Sequence, residues 1–150
     1  MLPTTTTMRL LTLLTILGYL ISVGCHSTQE YQKPDDALEA GREFIRFALD
    51  GDMRKAKQFI LPDNGTNERL FENIEKKYTA ETAEEKEKYR TASIILNTFK
   101  SINDSTAIIN FSNTFKKQDS EIKLVKSNGE WWVDFKYTFT GEGDFNEQEN

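Results

Sequence analysis

The chain has 150 residues, of which 37% are hydrophobic and 29% charged, the composition of one globular domain rather than of a disordered protein. With a single cysteine and a single histidine, an intramolecular disulfide, a zinc site of several thiolates and the usual Cys/His or Ser/His nucleophile pairs cannot be assembled. The net charge of −5 argues against nucleic acid as a partner, because nucleic-acid binders present basic surfaces.

An uncharged, leucine-rich run extends from Leu10 to Gly24 and follows a single basic residue, Arg9. The run is shorter than the roughly 20 residues that a membrane-spanning helix needs. A basic start, a short apolar core and small residues at the end are typical of a secretory signal peptide. We therefore predict a signal peptide over residues 1–24, with either Met1 or Met8 as its first residue.

The end of this run, "SVGC", resembles the lipobox of bacterial lipoproteins, in which a small residue precedes the cysteine at the cleavage point. The resemblance implies that Cys25 becomes the first residue of the mature chain and carries acyl groups. Two or more acyl chains make such an anchor stable, since one chain holds a protein only marginally. A plain secretory signal and an uncleaved anchor are the alternatives.

His26 follows the anchored cysteine directly, so we expect it at the membrane surface, away from any folded pocket and without a catalytic role. It also stands where enteric lipoproteins retained at the inner membrane have aspartate, which favours the outer membrane of a cell envelope. Residues 25–33 form the lipidated cysteine and a polar tether, and the folded domain is predicted over residues 34–140.

Helical periodicity dominates the first part of this domain. In "PDDALEAGREFIRFALDGD" the apolar side chains fall on one stripe, with Asp35 and Asp36 at the helix start and Gly51 as the left-handed residue at its end. Asp52 is placed to cap a second, short helix, "MRKAKQFI". A third helix is predicted around "ERLFENIEKKY".

A charged segment, "TAETAEEKEKYR", follows the third helix. Thr82 and Glu85 match a capping box, and Glu84 and Lys88 have the spacing of an i,i+4 ion pair. We interpret the segment as a solvated helix extension or a mobile linker rather than as an acidic binding patch.

The apolar period changes from 3.6 to 2 after residue 91. "ASIILNTFKSI", "TAIINFSNTFKK" and "EIKLVKS" are predicted strands, and Asn128-Gly129 is the strongest short hairpin signal. The last strand, "EWWVDFKYTF", places on one face the residues Trp131, Val133, Phe135, Tyr137 and Phe139. The pattern predicts an α+β domain, with N-terminal helices packed on a four-stranded antiparallel sheet, and an acidic tail over residues 141–150 that frays.

Three features together are similar to the nuclear-transport-factor-2-like superfamily: the "LDGD" corner at residues 49–52, the short second helix and the terminal "NGEWWV" strand. The closest likeness is to its small domains of unknown function behind lipoprotein signals. The resemblance covers about residues 33–140 and implies a curved sheet that wraps the helices around an apolar cavity, and a homodimer paired through the sheet. The superfamily includes isomerases, dehydratases, ligand carriers and interaction domains, so the fold does not fix the function.

The last strand holds the candidate site residues. Alternation places Asp134 on the face opposite the apolar one, so we interpret it as a solvated carboxylate rather than a catalytic residue. Trp131 and Trp132 must point to opposite faces, and the one outside the core is either covered or exposed as a recognition surface. Trp131, Trp132 and Tyr137 are therefore the candidate ligand-binding residues.

These patterns predict a lipid-anchored envelope protein that acts as a binding or interaction module, without cofactor or metal. Its expected partners are the membrane through Cys25, and envelope proteins or a small apolar ligand. The alternative function is a carrier of a small apolar ligand or a cavity enzyme of the isomerase or dehydratase type.

Overall fold

A computed structural model describes the backbone of residues 31–140 and the side chains of residues 31–138. The chain divides into two units, Met1–Gln32 and Lys33–Asn150, and the second holds every element below. The predictions for the leader, Cys25, His26 and the acidic tail lie outside the described residues. In chain order the elements are α1 (Ala37–Asp50), α2 (Met53–Lys57), α3 (Thr66–Ala80), α4 (Ala83–Thr91), β1 (Ile94–Asn103), β2 (Thr106–Asn113), β3 (Ser120–Ser127), β4 (Glu130–Asp134) and α5 (Tyr137–Thr140).

Helix α1 is bounded by the residues that the sequence indicates. The side chain of Asp36 accepts a hydrogen bond from the first turn at 3.0 Å. Gly51 ends the helix with φ of 78°, where a β-carbon would also collide with the ring of Tyr78. Asp52 then caps α2 through a hydrogen bond of 3.2 Å. Each side-chain cap contributes about 1 kcal/mol to the stability of its helix.

The charged segment after α3 forms a helix of its own, α4. The side chain of Thr82 accepts a hydrogen bond from the N–H of Glu85 at 3.1 Å, and Glu84 pairs with Lys88 at 2.7 Å, as their spacing predicts. No residue of α4 is buried. The guanidinium of Arg46 in α1 donates hydrogen bonds to carbonyl oxygens at the end of α4 and so holds α4 against α1.

The four strands form one antiparallel sheet in the order β1-β2-β3-β4, which confirms the predicted order of helices followed by a four-stranded antiparallel sheet. Asn128 and Gly129 join β3 to β4 with φ of 52° and 85°, the left-handed pair of a type I′ hairpin. Register shifts at Asn97 and Ile102 mark two bulges in β1, which increase its twist.

Helix α1 lies against all four strands, and the core forms between them. The rings of Phe44, Phe71 and Phe135 make contact at centroid distances of 6.2, 6.0 and 5.5 Å, which suits tilted and edge-to-face packing. Gly41 allows the close approach of α1 to the sheet, since a β-carbon there would collide with the side chain of Ile109.

The end of the last strand differs from the prediction. β4 ends at Asp134, and Tyr137 begins α5, so the prediction of one strand as far as Phe139 is wrong. The reason is a long-range contact: the N–H of Lys136 donates a hydrogen bond of 2.7 Å to the side chain of Asn67 in α3. This bond takes the backbone out of the sheet, and residues 135 and 136 form a turn.

Candidate functional site

Strand β1 exposes large apolar side chains. Within the described residues, the large hydrophobic side chains that are exposed all belong to β1: Ile95 (43%), Leu96 (43%), Phe99 (41%) and Ile102 (46%). Single apolar residues are ordinary on a protein surface, whereas a cluster of them indicates an interaction surface. We call β1 and these four side chains the β1 edge.

Apolar side chains occupy both faces of β1. Leu96 and Phe99 lie opposite Phe111 and Ile109 of β2, and Ile109 is fully buried beneath the helices. Leu96 and Phe99 therefore share the helix-facing side, yet each stays about two-fifths exposed. Ile95 lies on the other face, since neighbouring side chains alternate. Helix α1 contacts part of β1 but leaves these side chains partly exposed.

The backbone of the β1 edge is open as well. In the part of the chain that the structure describes, no strand pairs with the outer side of β1. The N–H of Thr114 donates to the carbonyl of Ser93 at 3.0 Å, so the alternation of the antiparallel ladder turns the backbone groups of Ile94 and Leu96 outward. Natural edges are commonly protected by bulges, charges or proline; β1 has the two bulges at Asn97 and Ile102, but one charge, Lys100, and no proline.

The opposite edge of the sheet is closed by the chain itself. The N–H of Val133 in β4 donates to the carbonyl of Phe59 at 2.7 Å, and the N–H of Leu61 donates to the carbonyl of Val133 at 2.9 Å. These bonds place residues 59–61 alongside β4 as a parallel bridge at Ile60. We call this arrangement the β4 edge.

A buried polar group supports the β4 edge. Asn67 is fully buried, and its amide donates to the carbonyl of Leu61 at 3.1 Å and to the carboxylate of Asp134 at 3.3 Å. Asp134 is only 8% exposed, so the interpretation of a solvated carboxylate is wrong. Residues 59–61 and Asn67 lie against the end of β4. Asp134 is therefore buried, although alternation predicts that its side chain faces solvent.

A lysine completes this group. The ammonium of Lys136 lies 3.2 Å from the carboxylate of Asp63 and 3.8 Å from that of Asp134. Its hydrogen bond to Asp63 raises the pKa of Lys136 above its usual value, against the opposing effect of partial burial. The carboxylates are thus engaged by an amide and an ammonium, which is the pattern of a structural contact.

A second candidate site is a cavity of about 280 Å³ between α1, α3 and the sheet. Its floor consists of buried apolar residues: Phe44, Ile45, Phe71, Ile122 and Phe135. Ser120 and Thr138 are polar and lie on its partly exposed side. The described part of its lining includes no titratable side chain.

The three residues predicted to bind a ligand lie elsewhere. Trp131 is buried, and its indole N–H donates to the carbonyl of Asp35 at 2.9 Å. Trp132 is half-buried under Lys33, whose ammonium lies 3.0 Å from the ring centroid. The hydroxyl of Tyr137 lies 3.4 Å from a carboxylate of β3. None of the three belongs to the described lining of the cavity, and their ligand role stays a prediction.

The sequence contained a signal for one of the two sites. "IILNTFKSIN" has three consecutive apolar residues at positions 94–96, so both faces of the strand carry apolar side chains, although the predicted helices pack on one face only. The resemblance implies an apolar cavity, but no sequence pattern located its lining, because the described lining comes from five separate segments.

The described residues include no group of three or more His, Cys, Asp or Glu side chains that could hold a metal ion. Over the same part of the chain, the helices are too short or too polar to cross a membrane. Comparison of the chain with family models, curated proteins and solved structures gives no match.

Proposed function

We propose that this protein is a lipid-anchored component of a cell envelope, with the outer membrane favoured, that acts by binding another polypeptide at its β1 edge. The anchor is supported by the "SVGC" sequence at Cys25 and the polar residues after it. The nuclear-transport-factor-2-like assignment belongs to the proposal and is supported by the order of helices and strands. The observation that carries the binding role is the clustering of exposed apolar side chains on one unpaired strand.

The free energy available at the β1 edge suits a reversible contact. Full burial of one Ile, Leu or Phe side chain contributes roughly 1.5–3 kcal/mol. Since about two-fifths of each of the four side chains is exposed, covering them all would contribute about 3–5 kcal/mol. Each added backbone hydrogen bond would contribute a further 0.5–1.5 kcal/mol or so. Strand addition uses both terms at once.

We propose an extended strand of a different protein as the occupant. Lys100 is the one charged residue of β1, so a partner strand with an acidic residue opposite it would be complementary. A second copy paired through β1 offers no such residue, because Ile94–Asn103 contains no acidic side chain. Two copies would also bring together chains that each carry a net negative charge.

A role in binding rather than catalysis is supported by the positions of the carboxylates. Asp134 is held by Asn67 and Lys136 and is not part of the described cavity lining. The second candidate function, a carrier of a small apolar ligand or a cavity enzyme of the isomerase or dehydratase type, is favoured by the cavity between α1, α3 and the sheet.

The binding role is tested by site-specific photocrosslinking of the full chain in the envelope of its source cells. A photoreactive residue at Ile102 should form an adduct with one protein, whereas the same residue at Glu84, on the exposed surface of α4, should not. With that protein purified, Phe99→Lys should weaken binding about tenfold or more, because it places a charge in the contact. An adduct with a second copy or with lipid, or equal adducts from both sites, would overturn the proposal.

The anchor is tested by metabolic labelling with an alkyne analogue of palmitate. The full chain should carry the label and sediment with outer membranes, and Cys25→Ser should lose both properties. Label retained in Cys25→Ser, or none in the wild type, would contradict lipidation at this residue.

A further inference from the structure

We infer that the β1 edge recognises a short extended segment with an acidic residue between two apolar ones, and that this segment pairs with residues 99–101 of β1 only. The inference rests on the proposed binding role of the β1 edge and gives the partner a sequence pattern. Three observations carry it: the hydrogen bonding of β2, the bulge at Asn97 and the charge of Lys100.

The hydrogen bonding of β2 shows which backbone groups of β1 point outward. The N–H of Thr114, at the end of β2, donates to the carbonyl of Ser93. Alternate residues of a strand bond to the same neighbour, so the even-numbered residues of β2 bond to β1. One of their register partners is Lys100. The residues on either side of it, Phe99 and Ser101, therefore point their N–H and C=O groups away from β2, where a partner can reach them.

The bulge at Asn97 divides this outward row of groups into two parts. Before the bulge, the groups of Ile94 and Leu96 point outward. After it, the row continues at Phe99, which is three residues beyond Leu96 because the bulge adds one residue to β1. A regular strand presents its groups on every second residue, so it can pair with one part of β1 and not with both.

The part after the bulge is the more accessible one and carries the charge. Residues 95–103 are all exposed, whereas Ile94, which begins the first part, is half-buried. Lys100 lies between the outward groups of Phe99 and Ser101. Among the described residues its ammonium forms no ion pair, so its charge is available to a partner. A partner strand is therefore best accommodated at residues 99–101.

Alternation of side chains converts this pairing into a sequence pattern. The partner residue opposite Lys100 points with it to the face of the sheet away from the helices, where an acidic side chain is complementary. The two neighbours of that residue point to the helix-facing side, beside Phe99, which is 41% exposed. Large apolar side chains there would cover Phe99, and the small side chain of Ser101 leaves room for them. The expected pattern is apolar–acidic–apolar.

The probe is a cyclic β-hairpin peptide whose free edge strand is Thr-Ile-Glu-Ile-Thr, a sequence that is the same in both chain directions. A second peptide has Lys in place of Glu. The full chain in lipid nanodiscs, with labelled isoleucine δ-methyl groups, reports binding by NMR. Saturable shifts are expected at Ile102, next to the pairing residues, and not at Ile94 and Ile95 before the bulge or at Ile45 in the core.

A charge reversal tests the acidic position. The wild type should bind the Glu peptide about fivefold more tightly than the Lys peptide, the upper range for an exposed ion pair. Lys100→Glu should reverse this preference, because it exchanges the charge that the peptide meets. Lys77→Glu, on the exposed surface of α3, makes the same change of net charge and should keep the preference of the wild type.

A proline tests the backbone pairing. Ser101→Pro removes one outward N–H and should weaken binding of the Glu peptide about fivefold or more. Ser101→Ala keeps this N–H and should bind the peptide as the wild type does. The dispersion of the methyl signals reports whether each variant is folded, and the charge reversal tests the pattern without a change to the backbone.

The outcomes separate the pairing from the binding role. Shifts at Ile94 and Ile95 in place of Ile102, equal affinity for the two peptides, or binding retained in Ser101→Pro would overturn the pairing and leave the β1 edge as a binding surface. Equal shifts at all four methyl groups, which indicate nonspecific association, would overturn it too. Without a saturable shift at any of them the recognition pattern is wrong, and crosslinking from Ile102 in the source cells decides the binding role separately.

Discussion

The two edges of the sheet differ in whether another segment of the chain pairs with them. At the β4 edge, residues 59–61 add two backbone hydrogen bonds to Val133, and buried Asn67 secures the segment that provides them. At the β1 edge, four large side chains and a row of backbone groups stay accessible. The chain covers its own β4 edge and leaves the apolar β1 edge unpaired within the described residues. An unpaired apolar edge is a candidate binding surface.

The largest expected difference between the edges comes from proline. Val133→Pro removes the N–H that donates to Phe59 and should lower the free energy of unfolding by about 3 kcal/mol or more. Leu96→Pro removes an N–H that points outward from β1, and its cost should stay below about 1.5 kcal/mol. Urea unfolding followed by circular dichroism compares the two variants. Similar losses in both would refute the contrast between the edges.

Asn67 is expected to show the next largest effect. Asn67→Ala leaves the carbonyl of Leu61 and the N–H of Lys136 without their partner and should cost about 2–3 kcal/mol. Asn73→Ala, on the exposed face of the same helix, is the control and should change the free energy of unfolding by less than about 0.5 kcal/mol. A cost below about 1 kcal/mol at Asn67 would mean that the β4 edge does not depend on it.

Charges on the β1 edge should change its surface and not its fold. The double variant Ile95→Lys, Ile102→Lys should lose less than about 1 kcal/mol, because both side chains are already more than two-fifths exposed. Its binding of the fluorescent dye ANS should fall, since the dye reports exposed apolar surface. Asn73→Lys adds a charge away from β1 and should leave dye binding unchanged. Unchanged dye binding in the double variant would count against an open apolar edge.

The smallest expected effect is the pH dependence that Lys136 adds to the β4 edge. The pKa of Lys136 is raised in the folded state, so its stabilisation is present at neutral pH and is lost as the pH rises above about 10.5. Between about pH 9 and pH 11.5 the wild type should lose more free energy of unfolding than Lys136→Gln does. The difference should be under about 1 kcal/mol, because the side chain is 37% exposed and screened by solvent. Parallel pH curves would contradict the assigned contact.

Much of the fold followed from local sequence patterns. The caps at Asp36, Gly51 and Thr82 and the turn at Asn128-Gly129 are where the sequence indicates, because each depends on residues at most four positions apart. The candidate site was harder to predict. Alternation makes Trp131 and Trp132 candidates because one of them must lie outside the core, whereas the structure shows both in contact with residues 33–35.

The end of β4 shows why local patterns fail at long range. Alternation continues through "EWWVDFKYTF", but Asn67, 69 residues away from Lys136, competes for the backbone and ends the strand. The same asparagine donates a hydrogen bond to Asp134, which is buried although alternation assigns it to solvent.

The amino-acid sequence by itself determined the order of helices and strands and the antiparallel sheet, but not the end of β4, since periodicity, caps and turns act over a few residues. The tertiary structure decided which edge is closed, which apolar strand is left exposed and where the cavity forms. These features depend on how far the helices reach across the sheet and on contacts between distant segments, and no short stretch of the chain encodes either.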